Sequence, residues 1–543
     1  MFGVAHIRRP LACRDASWGS ARVPGLQRSP LRTRFTRHTL GALGSAALLF
    51  LLPWAIYAGA ISHHYGLRDD YSILREAREE PGKILRVCGA MGRPLYGWLL
   101  ERSTREAEDI QGLSGMRAMS VAGLGLLSVA VFLVLRREGW RGLPATLLAA
   151  LLGVIPSAQV VASWSICWPQ PVAMLCAVAA FALARRGLEA APEEAAWRRR
   201  AWCLGGVVAL GASTLIYQAS APFFVVLLAA ALVARVFPDP RAVARTGLRY
   251  LLVMGGGLGL AYAVTRLTFA LGVFTPSPRM AFERHLLDKT DWFVTRVLPN
   301  ALALIELNDT DAAPSGGYWP MVGFTLLLVA AGLFVEWRRA GRVGLLTWLG
   351  ALGGLSAAAF CVSFLAGERW PTYRTLYALT GVWCVFFVAA AVRLGDTWPR
   401  TGPRVAAVLL TSFVALGALL AHQQSQELFV QPQLRELALM REGADAVVPS
   451  RQSRVFVLTA RQADSSASQR YLDEFGSVSV DTEWVAKELF QALVRERFPQ
   501  ERDVRRFYRF AAGPVLPERR AYDVLVDMRQ QRPAPSRPIQ LAR

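Results

Sequence analysis

The residues best placed to do chemistry stand in SHHYGLRDDY, where Asp69 and Asp70 follow the first long apolar run of the chain. Two adjacent carboxylates just outside a membrane can act as a base or hold a cation. A hydroxyl attacking an anomeric carbon needs a carboxylate to take its proton, whereas a phosphate leaving group needs only cations or a metal. The same pair also suits a helix start, since DDYSILREAREE puts its acids first and helix N-termini favour them. His63 and His64 precede the pair, but adjacent side chains diverge, so a divalent metal stays open and no cofactor is named.

Cations come from two further motifs. In GRPLYGWLL, Gly92 and Pro94 shape the chain around Arg93, which either holds a lipid phosphate or snorkels to headgroups. GERWPTYRTLY gathers Glu368, Arg369, Tyr373 and Arg374 in one short connection. Two arginines there suit an anionic ligand such as a polyprenyl phosphate, with pairing of Arg369 to Glu368 or to a loop carboxylate as the competing account. SWSICWPQP adds Trp164, Trp168 and Gln170, which read as an aromatic belt or as a surface on which a sugar face stacks. The acids Asp473, Glu474, Asp481 and Glu483 are adequately explained as a solvated polar loop.

These motifs need elements to hold them, and composition says which. With 53% hydrophobic residues and a mean hydropathy of +0.30, the 543-residue chain predicts membrane helices plus sizeable polar parts. Apolar runs at 40–61, 116–135, 143–164, 169–184, 201–217, 219–236, 250–272, 320–335, 343–365, 375–394 and 405–421 predict an α-helical polytopic membrane protein of about eleven helices. The net charge of +21 lies largely in arginines between these runs, which is a topology signal and not a nucleic-acid face. Residues 1–38, with eight arginines and one acid, read as a disordered cytoplasmic tail. Counting from there puts the arginine-rich connections inside, and the long loops 62–115 and 273–319 outside. Residues 422–543 follow outside as a small extracytoplasmic α/β domain, with strands expected at 454–459 and 522–527 and helices at 427–440 and 484–498. The seven cysteines show no CxxC spacing, so neither a disulfide framework nor a zinc site is indicated.

A first outer loop carrying RDDY and then GRPL, followed by many helices and a polar outer tail, resembles the polytopic O-antigen glucosyltransferases of the Gtr type II family, within the GT-C class of membrane glycosyltransferases. The resemblance covers most of the membrane domain expected at 39–421, about residues 40–421, and implies transfer of a hexose from a polyprenyl-phosphate donor to a surface glycan, on the extracytoplasmic face of a bacterial inner membrane. It implies a first-loop acid as base, a role falling to Asp69 and Asp70. Charge then makes Arg93, Arg369 and Arg374 the donor-phosphate ligands. A lipid-linked glycan flippase or a non-catalytic envelope assembly protein are the readings from other classes. A flippase should carry charge inside its helices, which are poor in it apart from Arg117, Arg235 and Arg266 near predicted helix ends.

Overall fold

The computed structural model describes residues 30–191, 193–235, 237, 239–307, 314–459 and 482–531. Most of the expected N-terminal tail, and Asp473, Glu474 and Asp481, lie outside the described residues. The chain divides into Met1–Gly44 and Ser45–Arg543. In the first unit the described residues are helical, and the second holds every element from Ala58 onward.

Every expected apolar run falls on a helix. Among the described residues six helices are long and apolar enough to cross a membrane, seven if one bent pair counts as a single span, with Phe223–Ala234 among the shorter apolar helices. The chain is thus a multi-pass helical membrane protein. Two of the expected runs share one element, Tyr318–Ala359, which is continuous except at Gly341. That residue has φ 62°, a backbone conformation that glycine adopts without the steric cost a Cβ would bring.

The bent pair is Gly142–Val154 and Pro156–Ser163, meeting at 54°. Pro156 has no N–H for the Leu152 carbonyl, and in a bilayer no water replaces it. Side chains from elsewhere fill the gap. Tyr377 donates its hydroxyl to the Leu152 carbonyl at 2.6 Å, Tyr57 to that of Gly153 at 3.0 Å, and the Gln159 amide to that of Val154 at 3.2 Å. The break is therefore a joint between three parts of the bundle.

The loop 62–115 folds into three helices, Asp69–Glu79, Lys83–Ala90 and Pro94–Ala107. The first lies against the tail helix Glu483–Arg497: Arg75 pairs with Glu488 at 2.7 Å and Glu79 with Arg495. Behind that helix stands a parallel sheet, β1 Ser453–Leu458, β2 Tyr508–Gly513 and β3 Val524–Asp527, in the order β2–β1–β3. β1 and β3 are the expected strands; β2 was not foreseen, because YRFAAG is short and weakly patterned. Parallel neighbours require a crossover, which the helix Glu483–Arg497 supplies between β1 and β2.

The other end of the bundle is tied by carboxylates. Glu138, whose side chain is fully buried, sits between Arg185 at 2.7 Å and Arg235 at 2.6 Å. Glu189 takes Arg235 at 2.5 Å and the Tyr250 hydroxyl at 2.6 Å. Arg141 reaches Asp396 at 3.0 Å.

Candidate functional site

The chain enters RDDY through a strained turn, closed locally by the Tyr71 hydroxyl on the Gly66 carbonyl at 2.8 Å and by the Leu67 amide on Asp70 at 2.8 Å. Arg68 has φ 46°, a conformation that costs a non-glycine residue of order 1–3 kcal/mol and persists only where the surroundings over-determine it. Here they do. The buried guanidinium of Arg117 donates to the carbonyls of Ala60 (2.5 Å), Tyr65 (2.7 Å) and His63 (2.7 Å), and to the Ser165 hydroxyl (2.9 Å). It also lies 3.8 Å from the centre of the Tyr65 ring. The Tyr65 hydroxyl donates to the Ser163 carbonyl at 2.8 Å, and the Trp164 indole to that of Leu67 at 3.0 Å. Residues 60–67 are thereby stitched to 163–165.

The two aspartates occupy different environments. Both stand in the first turn of the helix Asp69–Glu79, where the dipole favours them. Asp70 is fully buried and accepts from the backbone amides of Leu67 (2.8 Å) and Ile166 (3.2 Å). Burial pushes its carboxyl up to about 7, against the lowering effect of the Leu67 amide and Arg117. Asp69 is half-buried. Asp70 thus clamps the loop to Ile166, and Asp69 keeps access to solvent.

From Ile166 the packing leads to Arg93. The Tyr96 hydroxyl donates to the Ile166 carbonyl at 2.5 Å, and the Tyr96 ring lies 6.0 Å from that of Tyr217. The guanidinium of Arg93 sits 4.8 Å from the centre of the Tyr217 ring and donates to the Gln218 side chain at 2.5 Å. Gln218 in turn donates to the Met91 carbonyl at 2.8 Å. Gly92 (φ 73°) supplies the turn and Pro94 opens the next helix, so GRPL aims one guanidinium and fixes it. The Cys88 carbonyl accepts from the Arg93 amide at 2.9 Å.

Arg93 and Gln218 line a cleft of about 450 Å³ with a mostly apolar wall that includes Leu258, Tyr262 and Phe282. Arg279 and Glu368 stand at 3.8 Å from each other on its lining. Its far side is held by strand-like contacts between loops: Phe282 bridges to Ala366, and the Gly367 amide donates to the Ala281 carbonyl at 2.8 Å. The buried ammonium of Lys289 donates to the carbonyls of Ala366 (2.8 Å) and Glu368 (2.9 Å), and burial lowers its pKa.

Of the other expected residues, Arg369 lies 3.6 Å from Glu283, the loop-carboxylate pairing. Tyr373 is fully buried, its carbonyl accepting from Ser157 at 2.6 Å. Arg374 stacks 4.5 Å from the centre of the Trp164 ring and reaches the Cys167 sulfur at 3.6 Å. Trp164 is 1% exposed and so presents no face to solvent. Trp168 donates to the Ser103 hydroxyl at 2.9 Å, and Gln170 is buried, its amide nitrogen without a hydrogen-bond partner among the described residues. Among the described residues no three His, Cys, Asp or Glu side chains gather as metal ligands. His63 turns its Nδ1 back to within 2.8 Å of the Gly59 carbonyl.

No family model and no curated protein matches the sequence. Among solved structures, the crystal structure of ArnT from Cupriavidus metallidurans in the apo state aligns over 85% of both chains, with 13% identity and a TM-score of 0.39. Likeness at that level carries no conclusion about this chain, and the site rests on its own residues.

Sequence reasoning missed Gln218, Arg279 and Lys289, and did not connect Arg117 to the aspartates. Arg117 carried a usable signal, as a charge near the end of an apolar run. Gln218 and Lys289 carried none, because their partners are carbonyls and side chains far along the chain.

Proposed function

We propose that the chain is a GT-C-type membrane glycosyltransferase that moves a hexose from a polyprenyl-phosphate donor to a surface glycan such as O-antigen, on the extracytoplasmic face. The observation that carries this reading is the apolar-walled cleft with Arg93 fixed on its lining and packed, through Tyr217, Tyr96 and Ile166, against the loop of Asp69 and Asp70. An isoprenoid chain fits the wall and a phosphate fits the guanidinium.

In the reaction, the acceptor hydroxyl oxygen bonds to the anomeric carbon as the bond from that carbon to the phosphate oxygen breaks. The electron pair leaves with the polyprenyl phosphate, whose developing charge Arg93 meets. The hydroxyl proton passes to the Asp69 carboxylate. Asp70 positions the turn, and Arg279 stands on the cleft lining beside Glu368. Arg369 and Arg374 act at longer range, since each is engaged by neighbouring groups.

The test is turnover by purified protein supplied with polyprenyl-phosphate hexose and a surface-glycan acceptor. Asp69→Asn should lower it about 10³-fold, the usual scale of a lost base, with the fold retained. Unchanged turnover in that variant would sink the assignment.

A further inference from the structure

At the end of the bundle away from the aspartates, a hollow of about 520 Å³ lies between Tyr318–Ala359 and the end of Tyr373–Gly395. Three arginines line it: Arg338 and Arg339 from the first helix and Arg393 from the second. The acids nearby are already engaged. Glu336 lies 3.4 Å from Arg393, and Asp396 is 3.0 Å from Arg141. Among the described residues Arg338 and Arg339 have no carboxylate within ion-pair distance, and Arg338 only overlies the Phe334 ring at 6.0 Å. Arginines at a helix end suit the dipole with no ligand at all. Each of the three ends its own helical segment, Arg338 and Arg339 just before the break at Gly341 and Arg393 in the last turn before Gly395, and the dipole does not account for their convergence on one hollow.

The hollow also has an apolar approach. Leu327, Phe334 and Arg338 stand at i, i+7 and i+11 and so share one helix face. Leu327 is 72% and Phe334 53% exposed, on a helix whose apolar window is only 33% buried. From Leu327 to Arg338 the rise is about 16 Å, close to one leaflet of a hydrocarbon core.

We propose that this hollow binds the headgroup of an anionic phospholipid, with the phosphodiester held by Arg338 and Arg339 and an acyl chain lying along Phe334 and Leu327. The site is separate from the transfer cleft, and neither proposal depends on the other.

The full-length protein, purified in detergent and stripped of lipid, is examined by native mass spectrometry with phosphatidylglycerol or phosphatidylcholine added. Wild type should retain phosphatidylglycerol about tenfold or more over phosphatidylcholine. Arg338→Gln combined with Arg339→Gln should erase that preference, and the paired lysine substitutions should keep most of it. A second readout leaves both arginines in place: brominated phosphatidylglycerol should quench the indole fluorescence of wild type by an increment that disappears in Trp337→Phe, since Trp337 is 45% exposed beside the stripe. Equal retention of the two lipids by wild type overturns the proposal, as does undiminished preference in the glutamine variant. Displacement of the lipid by inorganic phosphate at equal concentration overturns it too, by marking a free-phosphate site.

Discussion

Two groups of cations in the molecule are held in opposite ways. Away from the cleft, Arg185, Arg235, Arg141 and Arg393 each meet a carboxylate. Beside the aspartate loop, Arg117 and Arg93 are held by carbonyls, an amide and aromatic rings. A carboxylate cancels the charge it binds. A carbonyl fixes a cation and leaves its charge in place, so only the second arrangement keeps a preorganised positive field for an anion.

Substitutions in each group should separate these roles. The largest effect is expected from Arg117→Ala, which strands the carbonyls of Ala60, His63 and Tyr65. Stability in detergent should fall by more than about 3 kcal/mol, and transfer should cease as the RDDY turn relaxes; thermal unfolding and turnover would both report it. Glu138→Gln in the other group leaves two arginines without their buried partner. A loss of about 3 kcal/mol is expected, with the donor KM unchanged in the folded fraction; a raised KM would break the separation of the two groups. Arg93→Ala should do the reverse, raising the donor KM about 10–100-fold on the scale of a charge-assisted contact while moving the melting temperature little.

Asp70 sharpens the comparison through pH. Its carboxyl is raised to about 7 when folded, against about 3.9 for an unperturbed Asp. The folded chain therefore binds more protons than the unfolded one between those values. The stability due to this group is full below about pH 4 and is lost as pH rises towards 7. Melting temperatures of wild type should fall over that window relative to Asp70→Asn, and parallel profiles would refute the buried-carboxyl account. The smallest effect belongs to Arg369→Ala, whose pairing with Glu283 is partly exposed; a change within about 1 kcal/mol is expected.

Legibility in the sequence was a matter of range. The apolar runs were readable because spanning a membrane demands length and hydropathy in one contiguous stretch. Asp69, Asp70 and the turn at Gly92 and Pro94 were readable because their chemistry is local. The separation of the two aspartates was not, since the burial of Asp70 depends on Ile166, 96 positions away. The Trp164 ring looked like a platform in SWSICWPQP, and only tertiary packing turns its indole to the Leu67 carbonyl. A lysine that caps two carbonyls more than seventy positions away leaves no pattern at all.

The bend at Pro156 bears on how the protein is made. The Leu152 carbonyl takes its hydrogen bond from Tyr377, 225 positions later. At ordinary translation rates that donor emerges roughly 10–45 s after the acceptor. Until then the acceptor sits at a broken helix in or near lipid, where an unmet carbonyl is costly. The first half of the bundle therefore waits for the second, and a chain arrested short of Tyr377 should be more open to protease at this joint than the finished protein.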